Sequence, residues 1–295
     1  MNGWHGVITA LVTPFDEQGV DEAALGDLVE SQIAAGLHGL LVCGTTGESA
    51  AMTAAERERA VRCVVERVAG RVPVLAGAGG NNTEATVEAV LAVQGWGADA
   101  ALVVTPYYVK PSQAGMLEHY RAASEVGLPI VAYNVPGRTG VSLQPETTRV
   151  LAEMPSVVAL KEASGDLNLG AFMMRAVGDG LSMLSGDDFT FLPFLSIGGK
   201  GAISVVSNVA PKEMVALFEA FEAGRLDEAR RLQLSLLPLA AVLFCESNPI
   251  PVKAAMAMLG HCGPMVRTPL TRMGDAKAER LRAVLVEGGW LGGRA

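Results

Sequence analysis

The chain has 295 residues, of which 50% are hydrophobic, 18% are charged and 5% are aromatic, so its core must be largely aliphatic. The formal net charge of −8 argues against an extended basic surface for nucleic acid or anionic lipid, since neutralising phosphates requires clustered Lys and Arg. No basic segment precedes the first apolar stretch, and the longest uncharged apolar run, residues 232–245, is too short to span a bilayer. We expect a soluble cytoplasmic protein without nucleic-acid or membrane partners.

Short apolar segments alternate with segments of helical periodicity over most of the chain. Between the apolar segments, hydrophobic residues recur every three to four positions and Ser, Thr or Asp stands near the start, which is typical of amphipathic helices. The predicted strands are residues 6–12, 39–43, 73–76, 100–104, 129–132, 157–160, 181–184 and 202–206. The clearest intervening helices are residues 21–35, 53–68, 83–94, 112–126 and 144–153.

A strand followed by a helix, repeated eight times, predicts parallel strands joined by right-handed crossovers and closed into a barrel. After the last strand, more segments have helical patterns than one closing helix requires. They are residues 211–223, 226–244, 251–259 and 275–286. The sequence therefore predicts an α/β fold, a (β/α)8 TIM barrel over residues 1–224 with additional C-terminal helices, residues 225–295, packed on it and available for oligomer contacts.

The sequence contains no clear motif for binding a metal or an organic cofactor. Its Cys and His residues are scattered, without the spacing of a zinc site. Residues 77–82 begin like a dinucleotide-binding turn, but Asn82 stands where the last glycine is required. Asp187 and Asp188 form a carboxylate pair, yet adjacent side chains diverge, and we interpret them as a helix N-cap. We expect no cofactor and no metal.

Polar residues follow the apolar segments, at the barrel end where reactive groups cluster. Lys161 directly follows residues 157–160, where loss of solvent would lower the pKa of its amine and expose a nucleophilic lone pair. Taken alone, a lysine at the end of a strand more often extends its amine to water. Tyr133 ends the preceding strand and offers a phenol for acid–base catalysis, although buried tyrosines are usually structural. The pair is more informative than either residue.

Two further groups at the same barrel end are suited to carboxylates. Thr45 and Thr46, in the glycine-flanked turn 44–47, supply hydroxyl and backbone N–H donors, although such a turn also fits simple helix capping. Arg138, in the loop after the fifth strand, could bind a carboxylate through two hydrogen bonds or remain a surface arginine. Only the combination of these groups is specific.

Several motifs occur together in a characteristic order. They are residues 44–49 (GTTGES), 105–108 (TPYY), 133–136 (YNVP), 138–140 (RTG), 161–165 (KEASG), 185–188 (SGDD) and 248–253 (NPIPVK). From about residue 6 to the last helix, the chain resembles the dihydrodipicolinate synthase family of Schiff-base-forming lyases. The resemblance implies a homotetramer, a dimer of tight dimers, that condenses pyruvate with L-aspartate 4-semialdehyde in the diaminopimelate route to lysine.

The resemblance also implies a mechanism and individual roles. Pyruvate would form a Schiff base on Lys161 and then an enamine that attacks the aldehyde, after which the substrate amine would displace the lysine and close the ring. The implied catalytic residues are Lys161, Tyr133, Thr45 and Tyr108, with Tyr108 reaching the site from the neighbouring subunit. The implied substrate-binding residues are Thr46, Gly186 and the Ile203 backbone for pyruvate, and Arg138 for the carboxylate of the semialdehyde.

Some bacterial members of this family are inhibited by lysine at the tight-dimer interface, and this chain keeps only part of that site. The residues kept are Ser49, Asn81 and Tyr107. Two histidines and a glutamate of those members are replaced by Ala54, Arg57 and Ala85. The resemblance therefore does not predict strong feedback inhibition.

Two other functions fit part of the pattern. N-acetylneuraminate lyases, 2-keto-3-deoxy-gluconate aldolases and 4-hydroxy-2-oxoglutarate aldolases share the lysine, the tyrosine and the GxTGE turn, but Arg138 favours the synthase. A barrel that senses a 2-oxo acid without turnover is the third hypothesis. The pairing of Lys161 with Tyr133 argues against it, because a binding protein needs no nucleophile beside a proton donor.

Overall fold

The computed structural model describes residues 4–292, and within them the strands and helices alternate as the sequence predicts. The strands are β1 (Gly6–Ala10), β2 (Phe15–Asp16), β3 (Gly19–Val20), β4 (Gly39–Val42), β5 (Val74–Gly77), β6 (Ala100–Val104), β7 (Ile130–Asn134), β8 (Val157–Glu162), β9 (Ser182–Ser185) and β10 (Gly201–Ser204). The α-helices are α1 (Glu22–Ala34), α2 (Ala54–Val68), α3 (Thr83–Gly95), α4 (Gln113–Ser124), α5 (Pro136–Thr139), α6 (Pro145–Ala152), α7 (Leu167–Val177), α8 (Phe191–Ser196), α9 (Pro211–Glu222), α10 (Leu226–Leu243), α11 (Ile250–Met258) and α12 (Asp275–Glu287).

Eight parallel strands close into a barrel in the order β1-β10-β9-β8-β7-β6-β5-β4, and β1 completes it by pairing with both β4 and β10. This confirms the predicted (β/α)8 barrel. The strands β2 and β3 form a separate antiparallel pair before α1, which the sequence analysis did not predict. Their short ladder of two residue pairs leaves too little alternation to recognise in a sequence.

The strands that carry the candidate nucleophile and phenol are longer than predicted. The β7–β8 ladder continues through the pairs Tyr133 with Lys161 and Asn134 with Glu162, so these residues belong to the strands themselves. The register shifts between the pairs Ile130–Val157 and Val131–Ala159, because Val158 is an extra residue in β8. This bulge sets Tyr133 directly opposite Lys161.

Side-chain alternation aims both residues into the barrel. Val131 and Ala159 belong to the apolar cluster that fills the barrel interior. Successive side chains of a strand point to opposite faces, so Tyr133 and Lys161, each two positions further on, also point inward at the carboxyl end of the barrel.

Helix starts follow the capping signals in the sequence. Thr53 and Glu56 form a reciprocal capping box at the start of α2, and the side chains of Asp21, Asn82 and Ser112 accept backbone N–H groups at the starts of α1, α3 and α4. The single turn α5 begins at Pro136 and ends before Gly140, which has a left-handed φ of 74°. This turn carries Arg138 over the barrel mouth.

The C-terminal helices pack on the barrel through a continuous apolar cluster. It joins Val7 of β1 and Phe218 of α9 to Leu239 of α10, Val252 of α11 and Leu281 of α12. The division of the chain at residue 224 stays a prediction, and residues 1–3 and 293–295, at the outer ends of the two predicted parts, lie outside the described residues. Within residues 4–292, none of the helices combines the length and hydrophobicity that crossing a membrane requires.

Candidate active site

A cavity of about 190 Å³ opens at the carboxyl ends of the strands. It brings together six of the predicted site residues: Thr45, Thr46, Tyr133, Arg138, Lys161 and Gly186. Ile203 is buried in the barrel interior and does not line this cavity, whereas Val205 does. Tyr108 is also absent from the lining and is 87% exposed.

Lys161 is buried in the wall of this cavity, where the surrounding protein has a lower dielectric constant than water. Its side chain is 6% exposed, and its amine lies 4.5 Å from the centroid of the Tyr133 ring. Burial lowers the pKa of Lys161 to about 8, and while the Asp188 carboxylate opposes the shift, the Arg138 guanidinium adds to it. Roughly one amine in ten is then neutral at pH 7, enough to supply a nucleophile.

Tyr133 keeps its proton under the same conditions. Burial raises the pKa of its phenol, although Arg138 and a hydrogen bond with Thr45 act in the opposite direction. A neutral phenol that contacts Thr45 can donate a proton and receive it back. The candidate nucleophile and the candidate proton donor therefore line the same cavity.

Gly186 makes room for the stem of Lys161. A Cβ atom at this position would lie 2.8 Å from Lys161 Cε, 3.1 Å from Lys161 Cγ and 2.5 Å from Ala163 Cβ. These separations are shorter than ordinary van der Waals contacts, so a side chain here would displace the lysine. The lack of a side chain at Gly186 thus accommodates the candidate nucleophile Lys161, and the role of Gly186 toward pyruvate stays a prediction.

Asn248 joins the two groups expected to bind carboxylates. Its Nδ2 donates to Thr46 Oγ1 at 3.0 Å, and its backbone oxygen accepts from Arg138 Nη2 at 3.1 Å. Its Oδ1 is buried and meets no hydrogen-bond donor within residues 4–292. No role is predicted for Asn248 from the sequence, although the NPIPVK motif that contains it is part of the resemblance.

Of the 187–188 pair, Asp187 is a helix N-cap, as predicted, whereas Asp188 is not an N-cap and binds a different turn. Asp187 caps the turn that follows it, accepting from the backbone N–H of Phe189. Asp188 reaches across to the turn after β10, where the backbone N–H groups of Val205 and Val206 donate to it at 2.9 and 3.1 Å. It thereby places a buried carboxyl group near Lys161, and burial raises the pKa of that carboxyl while the hydrogen bonds from Ser204, Val206 and Val205 lower it.

A second, wider cavity of about 480 Å³ adjoins the first. Ser49, Arg57 and Tyr107 line it, whereas Asn81 is exposed and does not. Of the residues that the resemblance implies for lysine binding, only some therefore line this cavity of a single chain. Within residues 4–292 no group of three or more His, Cys, Asp and Glu residues is placed to hold a metal ion.

Residues 4–287 match the dihydrodipicolinate synthetase family. The chain belongs to this family. A family relative from Geobacter sp. (strain M21), named 4-hydroxy-tetrahydrodipicolinate synthase, is 48% identical over 96% of this chain and 98% of its own. A relative of the same name from Syntrophus aciditrophicus is 47% identical over 98% of this chain and 100% of its own.

Solved structures of the family have the same fold. The dihydrodipicolinate synthase of Thermotoga maritima superposes with a TM-score of 0.96 at 43% identity, covering 98% of this chain and 100% of its own. The dihydrodipicolinate synthase of Aquifex aeolicus superposes with a TM-score of 0.94 at 43% identity, covering 96% of this chain and 98% of its own. Membership in the dihydrodipicolinate synthetase family thus agrees with the barrel and with the lysine at the end of β8.

Proposed function

We propose that this protein is a 4-hydroxy-tetrahydrodipicolinate synthase, a lyase that condenses pyruvate with L-aspartate 4-semialdehyde in the diaminopimelate route to lysine. The observation that carries the proposal is the buried Lys161 amine beside the Tyr133 phenol, at the mouth of a barrel with this family membership. A cytoplasmic location, where biosynthetic substrates are made and used, belongs to the same proposal.

The reaction begins when the neutral Lys161 amine attacks the keto carbon of pyruvate. Tyr133 donates a proton to the resulting carbinolamine oxygen, which leaves as water and gives a protonated imine. The imine withdraws electrons, so a methyl proton is lost and an enamine forms. No organic cofactor is required, because the imine itself accepts the electron pair.

The enamine carbon then attacks the aldehyde carbon of the semialdehyde, and the aldehyde oxygen takes up a proton. The amino group of the bound substrate attacks the imine carbon, and Lys161 leaves as a free amine as the ring closes. Thr45 lines the same cavity as Tyr133 and lowers the pKa of its phenol, and we assign it to the relay that returns these protons.

The two carboxylates are assigned to two sides of the cavity. We place the pyruvate carboxylate at the Thr45–Thr46 turn, with Gly186 and the Ile203 backbone near it, and the semialdehyde carboxylate at Arg138. The planar guanidinium of Arg138 suits a carboxylate because it can donate two parallel hydrogen bonds. Its position in the lining of both cavities supports this assignment.

Tyr108 supports a site shared between subunits. It is 87% exposed and has a left-handed φ of 71°, and its neighbours Tyr107 and Val109 are also exposed. A strained, apolar surface segment is typical of an interface. We therefore propose that Tyr108 completes the proton relay of a neighbouring subunit, within a homotetramer made of two tight dimers.

Borohydride trapping tests the central step. With pyruvate present, reduction should attach the reduced pyruvyl group to Lys161, which intact mass and peptide mapping would detect. A panel of aldehydes then tests the second substrate. Turnover should be faster with aspartate 4-semialdehyde than with N-acetylmannosamine or glyceraldehyde. An unlabelled Lys161, or preferred turnover of a sugar aldehyde, would contradict the proposal.

Imine formation should follow the pKa of Lys161. Because burial lowers that pKa from 10.5 to about 8, the reactive neutral amine becomes the major form above pH 8. The initial rate of trapping at fixed pyruvate should rise with pH and reach half its maximum near pH 8. A midpoint close to 10 would mean that the amine is not desolvated in solution.

Replacing Arg138 should weaken use of the semialdehyde specifically. In Arg138→Ala, kcat/KM for the semialdehyde should fall on the order of a hundredfold, the loss expected for hydrogen bonds to a charged group. Trapping of pyruvate on Lys161 should persist. Arg149→Ala, which removes an exposed arginine paired with Glu153, is the matched control and should leave both activities unchanged.

A further inference from the structure

Glu48 and Lys253 form a buried ion pair that the proposed reaction does not use. Lys253 Nζ lies 2.7 Å from Glu48 Oε1, and the two side chains are 0% and 1% exposed. The other carboxylate oxygen of Glu48 accepts the backbone N–H of Arg267 at 2.7 Å. Both oxygens of the carboxylate are therefore fixed by groups from the C-terminal part of the chain.

The pair connects the catalytic turn with a single C-terminal segment. Glu48 lies two positions after Thr46, and its φ of 56° is left-handed, a conformation that a non-glycine residue keeps only when its surroundings fix it. Lys253 lies in α11, shortly after Asn248, which donates to Thr46 and accepts from Arg138. The segment 248–253 thus reaches the turn at two points.

The surroundings of the pair hold it in one geometry. The Lys253 amine lies 4.0 Å from the centroid of the Phe15 ring, and the Arg267 guanidinium lies 4.4 Å from the same centroid. Arg267 in turn donates to Glu56 of α2 at 2.6 Å. Burial lowers the pKa of Lys253, and the Glu48 carboxylate acts against that shift.

Stability is a weak explanation for such a pair. Removing two charges from water costs several kcal/mol per ion, and apolar residues of similar volume often replace a buried pair without loss of stability. What apolar residues cannot supply is a directional contact that fixes a turn in one orientation. The location of the pair, at the end of the turn with two candidate substrate-binding hydroxyls, indicates where such a contact is needed.

We propose that Glu48 and Lys253 are positioning residues, which hold the Thr45–Thr46 turn against the C-terminal segment that also fixes Arg138. The groups for both substrate carboxylates then share one support. The inference rests on the proposed function, because it assigns the pair to pyruvate binding. It also gives the C-terminal helices a role within each subunit, in addition to oligomer contacts.

The test compares Lys253→Met with the double variant Glu48→Met/Lys253→Met. The single variant leaves an uncompensated buried carboxylate and is expected to lose stability. The double variant removes both charges and should stay folded by circular dichroism and thermal unfolding. Its pyruvate concentration for half-maximal borohydride trapping should still rise roughly tenfold to a hundredfold, as for one misplaced hydrogen bond to a charged group.

The midpoint of the trapping pH profile should remain near that of the wild type, because burial, Asp188 and Arg138 shift the pKa of Lys161 and the double variant keeps all three. Lys277→Met, which removes a half-exposed lysine paired with Glu246 in the same C-terminal part, should leave pyruvate use unchanged. A folded double variant with wild-type pyruvate dependence would overturn the inference, as would its unfolding or a shifted pH midpoint. Failure of the wild type to trap pyruvate would instead refute the proposed function.

Discussion

A Lys161→Met variant should lose at least about a thousandfold in kcat/KM and show no borohydride-trapped pyruvate, because no other amine can form the imine in the cavity. Lys161 is the only lysine that lines the catalytic cavity within residues 4–292. Methionine has nearly the same length and an unbranched stem, so the packing around Gly186 and Tyr133 should persist. The loss of kcat/KM would then result from the missing amine and not from a change in side-chain volume.

The same variant should keep or gain stability. A pKa lowered by burial means that the charged amine is destabilised in the folded protein, and methionine removes that cost. The midpoint of thermal unfolding should therefore not fall. Lys212→Met, an exposed position at the start of α9, is the matched control and should trap pyruvate as the wild type does. Residual turnover above a hundredth of wild type would show that Lys161 is not the essential nucleophile.

The fold could be predicted from the sequence, and so could the proximity of Lys161 to Tyr133. Both follow from the alternation of apolar strands with amphipathic helices. Apolar strands that repeat with helices predict a barrel, and a barrel places its strand ends together. The exact register was not predictable. Val158 produces the bulge that sets Tyr133 opposite Lys161, yet the run of apolar residues 157–160 shows no break at that position.

Contacts between distant parts of the chain could not be predicted from the sequence. Asn248 meets Arg138 from 110 positions away, and Lys253 meets Glu48 from 205 positions away. Nothing in the local pattern of either segment specifies its partner, since the relative placement of α11 depends on the packing of the whole C-terminal region. For Tyr108, the predicted partner is another subunit, and its exposure in a single chain is what that prediction requires.

Gly186→Ala should impair both the fold and imine formation. The added methyl group would lie 2.5 Å from Ala163 Cβ and 2.8 Å from Lys161 Cε, so the lysine stem must move. Overpacking of this kind costs about 1–3 kcal/mol in the free energy of unfolding. A displacement of the nucleophile by about 1 Å should reduce the trapping rate on the order of a hundredfold. Chemical denaturation and trapping at saturating pyruvate measure the two effects.

The matched control is Gly95→Ala, at the end of α3, where within residues 4–292 no heavy atom beyond its chain neighbours and the backbone of its own helix lies within 4 Å of the new methyl group. Its stability should be unchanged or slightly higher, because alanine loses less conformational entropy than glycine on folding. The two roles of Gly186 then separate. If its backbone only binds pyruvate, the alanine variant should need more pyruvate but reach the wild-type trapping rate at saturation. Since the clash is with Lys161 itself, we expect the rate to stay low at any pyruvate concentration.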